Sequence, residues 1–191
     1  MMNKFATDLN LKFDFILSNK NFFNELPIDP KLGYHTSIKL LDIDMDFIEW
    51  VKSLGLFIKY CELFYTPAHG KIFIHSDEID PIDSCKINFV YDNGNTLMHW
   101  YDIKNNKELK RRNNTIGGLY FSCDDEDDYT LAYEHVVKKG TLVNVSIPHG
   151  ITNNSAYPRY CVSVIFQKEK DTKRIGYTEM YKLLTPYLNS T

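Results

Sequence analysis

Long apolar runs are missing from this 191-residue chain, and none of its segments approaches the length of a bilayer-crossing helix. The opening Met1-Met2-Asn3-Lys4-Phe5 has no extended apolar stretch behind it of the kind a secretion signal carries. Cysteine is sparse as well: Cys61, Cys85, Cys123 and Cys161 stand far apart, with no Cys-x-x-Cys pair. That spacing excludes a zinc knuckle and a disulfide framework and leads us to expect reduced thiols in a cytoplasmic compartment, the host cytoplasm if the protein is viral. The sequon Asn153-Asn154-Ser155 then reads as accidental. Charge of one sign is also absent. With 22 Lys and Arg against 25 Asp and Glu, the net charge of -3 gives no general pull toward nucleic acid or an acidic membrane.

What is present fits one folded domain over 1–191, with an N-terminal helical and irregular support (1–55), a β core (56–167) and a C-terminal tail (168–191). Aromatic content is high at 14%, which favours strands and pocket walls over a coiled coil. Residues 11–17 are expected as a strand and 21–26 as a helical turn, with Pro27 and Pro30 as breaks. Asp44 is placed to cap a helix whose Phe47, Ile48, Trp50, Val51 and Leu54 recur at helical spacing until Gly55.

Beyond Gly55 the period changes to two. Strands are expected at 56–65, 71–77, 85–91, 96–103, 119–123, within 129–138, at 141–149 and at 159–167. Turns fall at 67–70, 92–95 and 139–140, and loops at 78–84, 104–118 and 150–158. Helical spacing returns at 177–188, interrupted near Pro186. A helix or two followed by short strands with turn signals between them argues for a mainly β chain, a sandwich or jelly roll with flanking helices.

The chemistry concentrates in Ile72-Phe73-Ile74-His75-Ser76-Asp77. In an extended strand His75 and Asp77 share one face, with Ile72, Ile74 and Ser76 on the other. An imidazole and a carboxylate delivered to one point make two-thirds of a facial metal site. In 141–149, Val143, Val145, Ile147 and His149 share an apolar, interior-facing side, which brings His149 inward at the strand end. The set Leu142, Asn144, Ser146 and Pro148 turns toward water. In 159–167 the Tyr160, Val162, Val164 and Phe166 face is fully apolar and suits a covering of helices. Arg159, Cys161, Ser163 and Ile165 then line the interior, with Ser163 a small pocket residue. A buried guanidinium needs an anion, and that strand offers no carboxylate, so the simplest partner is a carboxylate carried by a ligand.

With His75-x-Asp77, then His149, then Arg159 ten positions on, the chain resembles the Fe(II)/2-oxoglutarate-dependent oxygenases. The string Ile147-Pro148-His149-Gly150-Ile151-Thr152-Asn153 ahead of Arg159 is similar to the distal motif of the aspartyl/asparaginyl β-hydroxylase-like branch. Asn88 and the pair Trp100-Tyr101 also look like features of small oxygenase-like proteins from marine phages. The likeness covers about residues 56–167. It implies a double-stranded β-helix, a cupin-like jelly roll. It also implies iron held by His75, Asp77 and His149, and Arg159 on the distal carboxylate of 2-oxoglutarate. Lys86 and Asn88, which share a strand face, become the candidates for the near carboxylate. O2 would be the co-reactant, and oxidative decarboxylation to succinate would accompany hydroxylation of an amino acid, a peptide side chain or a small metabolite.

Blander readings stand beside these. His-x-Asp pairs often cap turns, His149 could bond only to backbone, and Arg159 could pair with Glu134 or Asp77. Trp100 and Met98 are candidate pocket walls, although an aromatic in a strand is usually core. His69 belongs to a turn, and His99 points away from Met98 and Trp100. The run Asp124 to Asp128 lacks the glycine and spacing of a calcium loop and reads as a solvated turn. The basic cluster Lys107, Lys110, Arg111 and Arg112 could at most hold an acidic substrate near a site mouth. The competing functions are a catalytically inactive β-helix with a binding or structural role, possibly phage-derived, and a cupin-like metalloenzyme independent of 2-oxoglutarate. Cupins usually offer His-x-His, which ranks that third.

Overall fold

Alternating side chains along 57–66, 85–91 and 159–167 require a sheet buried on both faces, and the computed structural model contains one. It describes residues 2–77, 83–91, 96–105, 107–113, 119–168 and 174–188. The elements in chain order are β1 (Ala6–Asp8), β2 (Tyr34–Ser37), α1 (Met45–Ser53), β3 (Phe57–Thr66), β4 (Lys71–His75), β5 (Cys85–Tyr91) and β6 (Thr96–Ile103). There follow β7 (Lys110–Asn113), β8 (Leu119–Ser122), β9 (Tyr129–Val136), β10 (Lys139–Asn144), β11 (His149–Asn153), β12 (Arg159–Gln167) and α2 (Tyr177–Leu183).

The larger sheet runs β1-β10-β5-β12-β3-β2 and the smaller β4-β11-β6-β9, with antiparallel neighbours throughout. From β3 onward the chain passes between the sheets, β3 large, β4 small, β5 large and β6 small. It then returns through β9 small, β10 large, β11 small and β12 large. That winding is the jelly roll, or double-stranded β-helix, and β1 and β2 extend both edges of its larger sheet. Strands β7 and β8 form a separate hairpin between β6 and β9.

Two apolar cores follow from the two faces of the larger sheet. On the outer face Ile87, Phe89, Val162, Val164 and Phe166 pack against Phe47, Trp50 and Val51 of α1 and Met180 of α2. On the inner face Val90, Val143 and Cys161 meet Met98, Trp100 and Ile151 of the smaller sheet. Helix α1 starts where Asp44 Oδ1 accepts from the amides of Asp46 (2.9 Å) and Phe47 (3.3 Å). Two residues past its end stands Gly55, whose φ of +71° suits a residue without Cβ.

Four expectations fail locally. Residues 11–17 form no strand, only a bridge from Leu17 to Ile43. The span 104–118 is not all loop, because Lys110–Asn113 pairs with Leu119–Ser122. The strand expected over 141–149 is two: β10 ends at Asn144, and β11 begins at His149 in the other sheet and runs through the expected loop to Asn153. Leu142 does not see water but is fully buried in the outer core. The turn expected at 92–95 and most of the loop at 78–84 lie outside the described residues. Among the described residues, no helix is long and apolar enough to cross a membrane.

Candidate metal centre

His75 closes β4, but plain alternation does not aim it inward. The register pairs His149 with His75 and Ile151 with Ile72, three steps on β4 against two on β11. That β-bulge changes the parity, so Ile72 packs in the inner core and His75 faces the interior as well. Gly150 lies opposite the bulge; a Cβ there would stand 3.1 Å from the Ile72 carbonyl oxygen.

Asp77 lies just past the strand and is held through its backbone. Ser76 exchanges amide hydrogen bonds with Phe121 (2.8 and 2.9 Å), and the Asp77 amide donates to the Val145 carbonyl (3.1 Å). His149 follows the 145–148 connection. Trp100, its cross-strand neighbour, donates from Nε1 to the Asn144 carbonyl (2.8 Å), and the Tyr101 amide donates to Pro148 (2.9 Å).

The three side chains converge. One ligand atom from each of His75, Asp77 and His149 lies within 4.8 Å of the other two. His75 Nε2 is 3.6 Å from Asp77 Oδ1, and the two imidazole centroids are 4.6 Å apart. Each ring is fixed the same way: His75 Nδ1 lies 2.9 Å from the Phe73 carbonyl and His149 Nδ1 lies 2.9 Å from the Ile147 carbonyl. A carbonyl only accepts, so Nδ1 carries a proton in both rings and Nε2 is the nitrogen left for the cluster. Two imidazoles presenting Nε2 beside a carboxylate form a donor set suited to a divalent transition metal.

The electrostatics suit the same use. Burial, helped by His75, pushes His149 down to about 3, so its ring is neutral near pH 7. Burial alone would raise the Asp77 carboxyl, but Lys86, His149 and His75 outweigh it and hold the carboxyl well below the usual range. The Lys86 ammonium lies 2.8 Å from Asp77 Oδ2 and 3.4 Å from Glu62 Oε2, and Glu62 in turn sits 3.4 Å from His35 Nε2. Burial by itself would lower Lys86; the two carboxylates outweigh it and raise it above its ordinary value.

Arg159 opens β12 on its interior side and is 1% exposed. Among the described residues it forms no ion pair, and its Nε has no hydrogen-bond partner. The suggested partners are engaged elsewhere, Glu134 with His99 and Asp77 with Lys86. Across the ladder from Arg159 stands Thr66, buried, with its hydroxyl also unpartnered. Asn153 Nδ2 contacts the Thr66 carbonyl (3.5 Å), so Arg159 belongs to the Asn153 end of β11 and His149 to the other. Four strand steps separate those ends, roughly 13 Å.

The remaining candidates are placed as follows. Asn88 Oδ1 accepts from Ser163 Oγ at 2.6 Å, and both are buried inside. Trp100 and Met98 are buried in the inner core, on the same strand face as His149 and Ile151. His99 is turned away, toward Thr152 and Glu134, and His69 sits in its turn with φ of 55°. The acidic run meets the basic cluster: Asp124 pairs with Lys110 and Arg112, and Asp128 with Lys107. Sequence reasoning missed Glu62, Thr66 and Gly150. A signal for the first two existed, since Glu62, Phe64 and Thr66 form the less apolar face of 57–66, opposite Cys61, Leu63 and Tyr65.

No protein-family model matches the sequence, and no curated protein matches it. Among solved structures, the chain is similar to a non-haem monooxygenase, ThoJ, at 14% identity and TM-score 0.38, over 70% of this chain and 58% of that one. It is similar to EvdO2 from Micromonospora carbonacea var. aurantiaca at 14% and 0.39, over 76% and 62%. Against AviO1 from Streptomyces viridochromogenes Tue57 the values are 9% and 0.42, over 81% of each chain. This chain therefore spans less than two thirds of the length of the first two. The reading of the site rests on its own geometry.

Proposed function

We propose that this chain is an Fe(II)- and 2-oxoglutarate-dependent dioxygenase of the aspartyl/asparaginyl β-hydroxylase-like kind. It hydroxylates an amino acid, a peptide side chain or a small metabolite. The observation that carries the reading is a buried guanidinium with no ion pair among the described residues, facing the same interior as a cluster of two imidazoles and a carboxylate.

His75 and His149 would hold the ion through Nε2 and Asp77 through Oδ1. Bound there, Fe(II) supplies the activation of O2 that couples decarboxylation of the keto diacid to hydroxylation, giving succinate, CO2 and the alcohol. The chain's own residues do the rest. Arg159 takes the distal carboxylate through two parallel N–H bonds, with Thr66 Oγ1 beside it. The carbonyls of Phe73 and Ile147 hold both imidazoles in the ligating tautomer. Met98, Trp100 and Ile151 keep water from the interior between the two ends.

One observation favours the inactive β-helix as a second reading: Lys86 already supplies a cation to Asp77. The test is succinate formation from 2-oxoglutarate with added Fe(II), for the wild type, His75→Ala and Arg159→Ala. We expect turnover that each substitution abolishes. Equal background in all three removes the catalytic claim, and a protein that also takes up no metal is the inactive helix.

A further inference from the structure

Lys86 is an interior cation with two carboxylates in reach. Its ammonium stands 2.8 Å from Asp77 Oδ2 and 3.4 Å from Glu62 Oε2, and its side chain is 10% exposed. The pairing is unusual in kind, because Asp77 is also the carboxylate of the ligand cluster. An ammonium on one oxygen withdraws the negative charge that an ion on the other oxygen would use. Two cations sharing one carboxylate in a buried layer also repel each other. Glu62 offers the way out. It lies across β12 from Lys86, anchored by His35 at 3.4 Å and opposite Ser163 in the ladder.

We propose that Lys86 is an exchangeable internal counter-ion: it neutralises Asp77 in the metal-free protein and transfers to Glu62 when a divalent ion takes Asp77. The inference rests on the metal centre proposed above and adds that metal affinity is set by competition between the ion and Lys86. Lys86 is a positioning residue in this scheme, not a catalytic one. Metal-free protein therefore stays folded with its acidic layer compensated, and Glu62 is kept inside the barrel to receive the displaced ammonium. The two neighbours then act on metal binding with opposite signs. Removing the Lys86 charge frees Asp77 and tightens binding, whereas neutralising Glu62 leaves Lys86 no second carboxylate among the described residues and weakens it.

The test is a titration of the full chain with Co(II), followed by its visible absorption, with thermal melts of the metal-free and metal-loaded forms. Lys86→Met is expected to bind about tenfold more tightly than wild type and Glu62→Gln about tenfold more weakly, each about 1.4 kcal/mol. Metal-free Lys86→Met melts lower than wild type but gains more on adding Co(II), because the ion replaces the missing charge. Lys86→Gln serves if the methionine variant does not fold. Unchanged or weaker binding by the Lys86 variants, or unchanged or tighter binding by Glu62→Gln, overturns the exchange. If wild type and the Lys86 variants all bind no Co(II) while His75→Ala behaves identically, the metal centre itself fails and the exchange with it.

Discussion

Arg159 places a permanent charge in the interior and forms no ion pair among the described residues, an arrangement that no packing requirement demands. Such a group weakens the fold that holds it, so its loss should help stability while harming function. Arg159→Met is expected to melt higher than wild type, by about 2–4 °C for each kcal/mol gained. The same variant should lose 2-oxoglutarate-dependent succinate formation. A lower melting temperature in calorimetry would mean that the guanidinium has a structural partner after all. Gly150 acts at the same scale but in the other direction. A valine there must displace the β4 backbone that the Ile72 carbonyl marks at 3.1 Å, and with it His75. Gly150→Val should cut Co(II) affinity by at least about tenfold, the scale of a ligand-orienting contact. That His75, Asp77 and His149 converge and that Arg159 faces the interior could be read from the sequence, from strand alternation around each residue and from the resemblance their spacing carries. The tie of Lys86 to Asp77 and Glu62 could not, because it needs β3 and β5 on either side of β12 and the end of β4 facing them from the other sheet.

Among the elements, α1 and most strand limits could be read directly, since Asp44, the apolar spacing and Gly55 are local signals. Asp44→Ala is expected to lower stability by about 1 kcal/mol in denaturant titration without touching metal binding. The crossing from β10 to β11 was hidden for a physical reason. Val143, Val145, Ile147 and His149 keep their alternation while the chain leaves one sheet for the other, so the inner face stays apolar through the break. Strand β7 was hidden because Lys110-Arg111-Arg112-Asn113 has no apolar face; its hairpin is tied by ion pairs of Lys110 and Arg112 with Asp124. At the opposite edge, β1 is fastened by Asp8, whose Oδ1 accepts from Thr141 Oγ1 (2.7 Å) and lies 2.9 Å from His135 Nε2. Burial would raise the Asp8 carboxyl, but these hydrogen bonds outweigh it and lower it beneath its ordinary 3.8. A depressed carboxyl stabilises above its unfolded value and loses that contribution as pH falls through the folded one. Asp8→Asn should therefore melt below wild type at about pH 6, and the gap should close as pH drops below about 3.8.

On the scale of the whole molecule, one sheet separates two cores, and the cysteines report on both. Cys61 and Cys85 lie in the outer core and Cys161 in the inner. Burial pushes the Cys61 thiol up to about 12, and Cys85 is raised in the same way. Only the thiolate attacks disulfide reagents, so both should label at the rate of global unfolding, with denaturant accelerating the two in parallel. Labelling of one well ahead of the other would mean that the outer core opens in parts rather than as a unit. The jelly roll was foreseeable from strand number and turn spacing. Its ladder order was not, because alternation says which face of a strand is wet and nothing about which strand lies beside it.

The ladder order also bears on how the protein is made. Strand β12, between β5 and β3, is one of the two central strands of the larger sheet and, among the described residues, the last strand to leave the ribosome. Until residues 159–167 arrive, β3 and β5 each have an open edge toward the vacant centre, and β1 waits for a partner more than 130 positions downstream, at residues 141–143. Nascent chains halted before Arg159 should thus be protease-sensitive and chaperone-bound, with protection appearing abruptly once the central strand is inserted rather than growing with length.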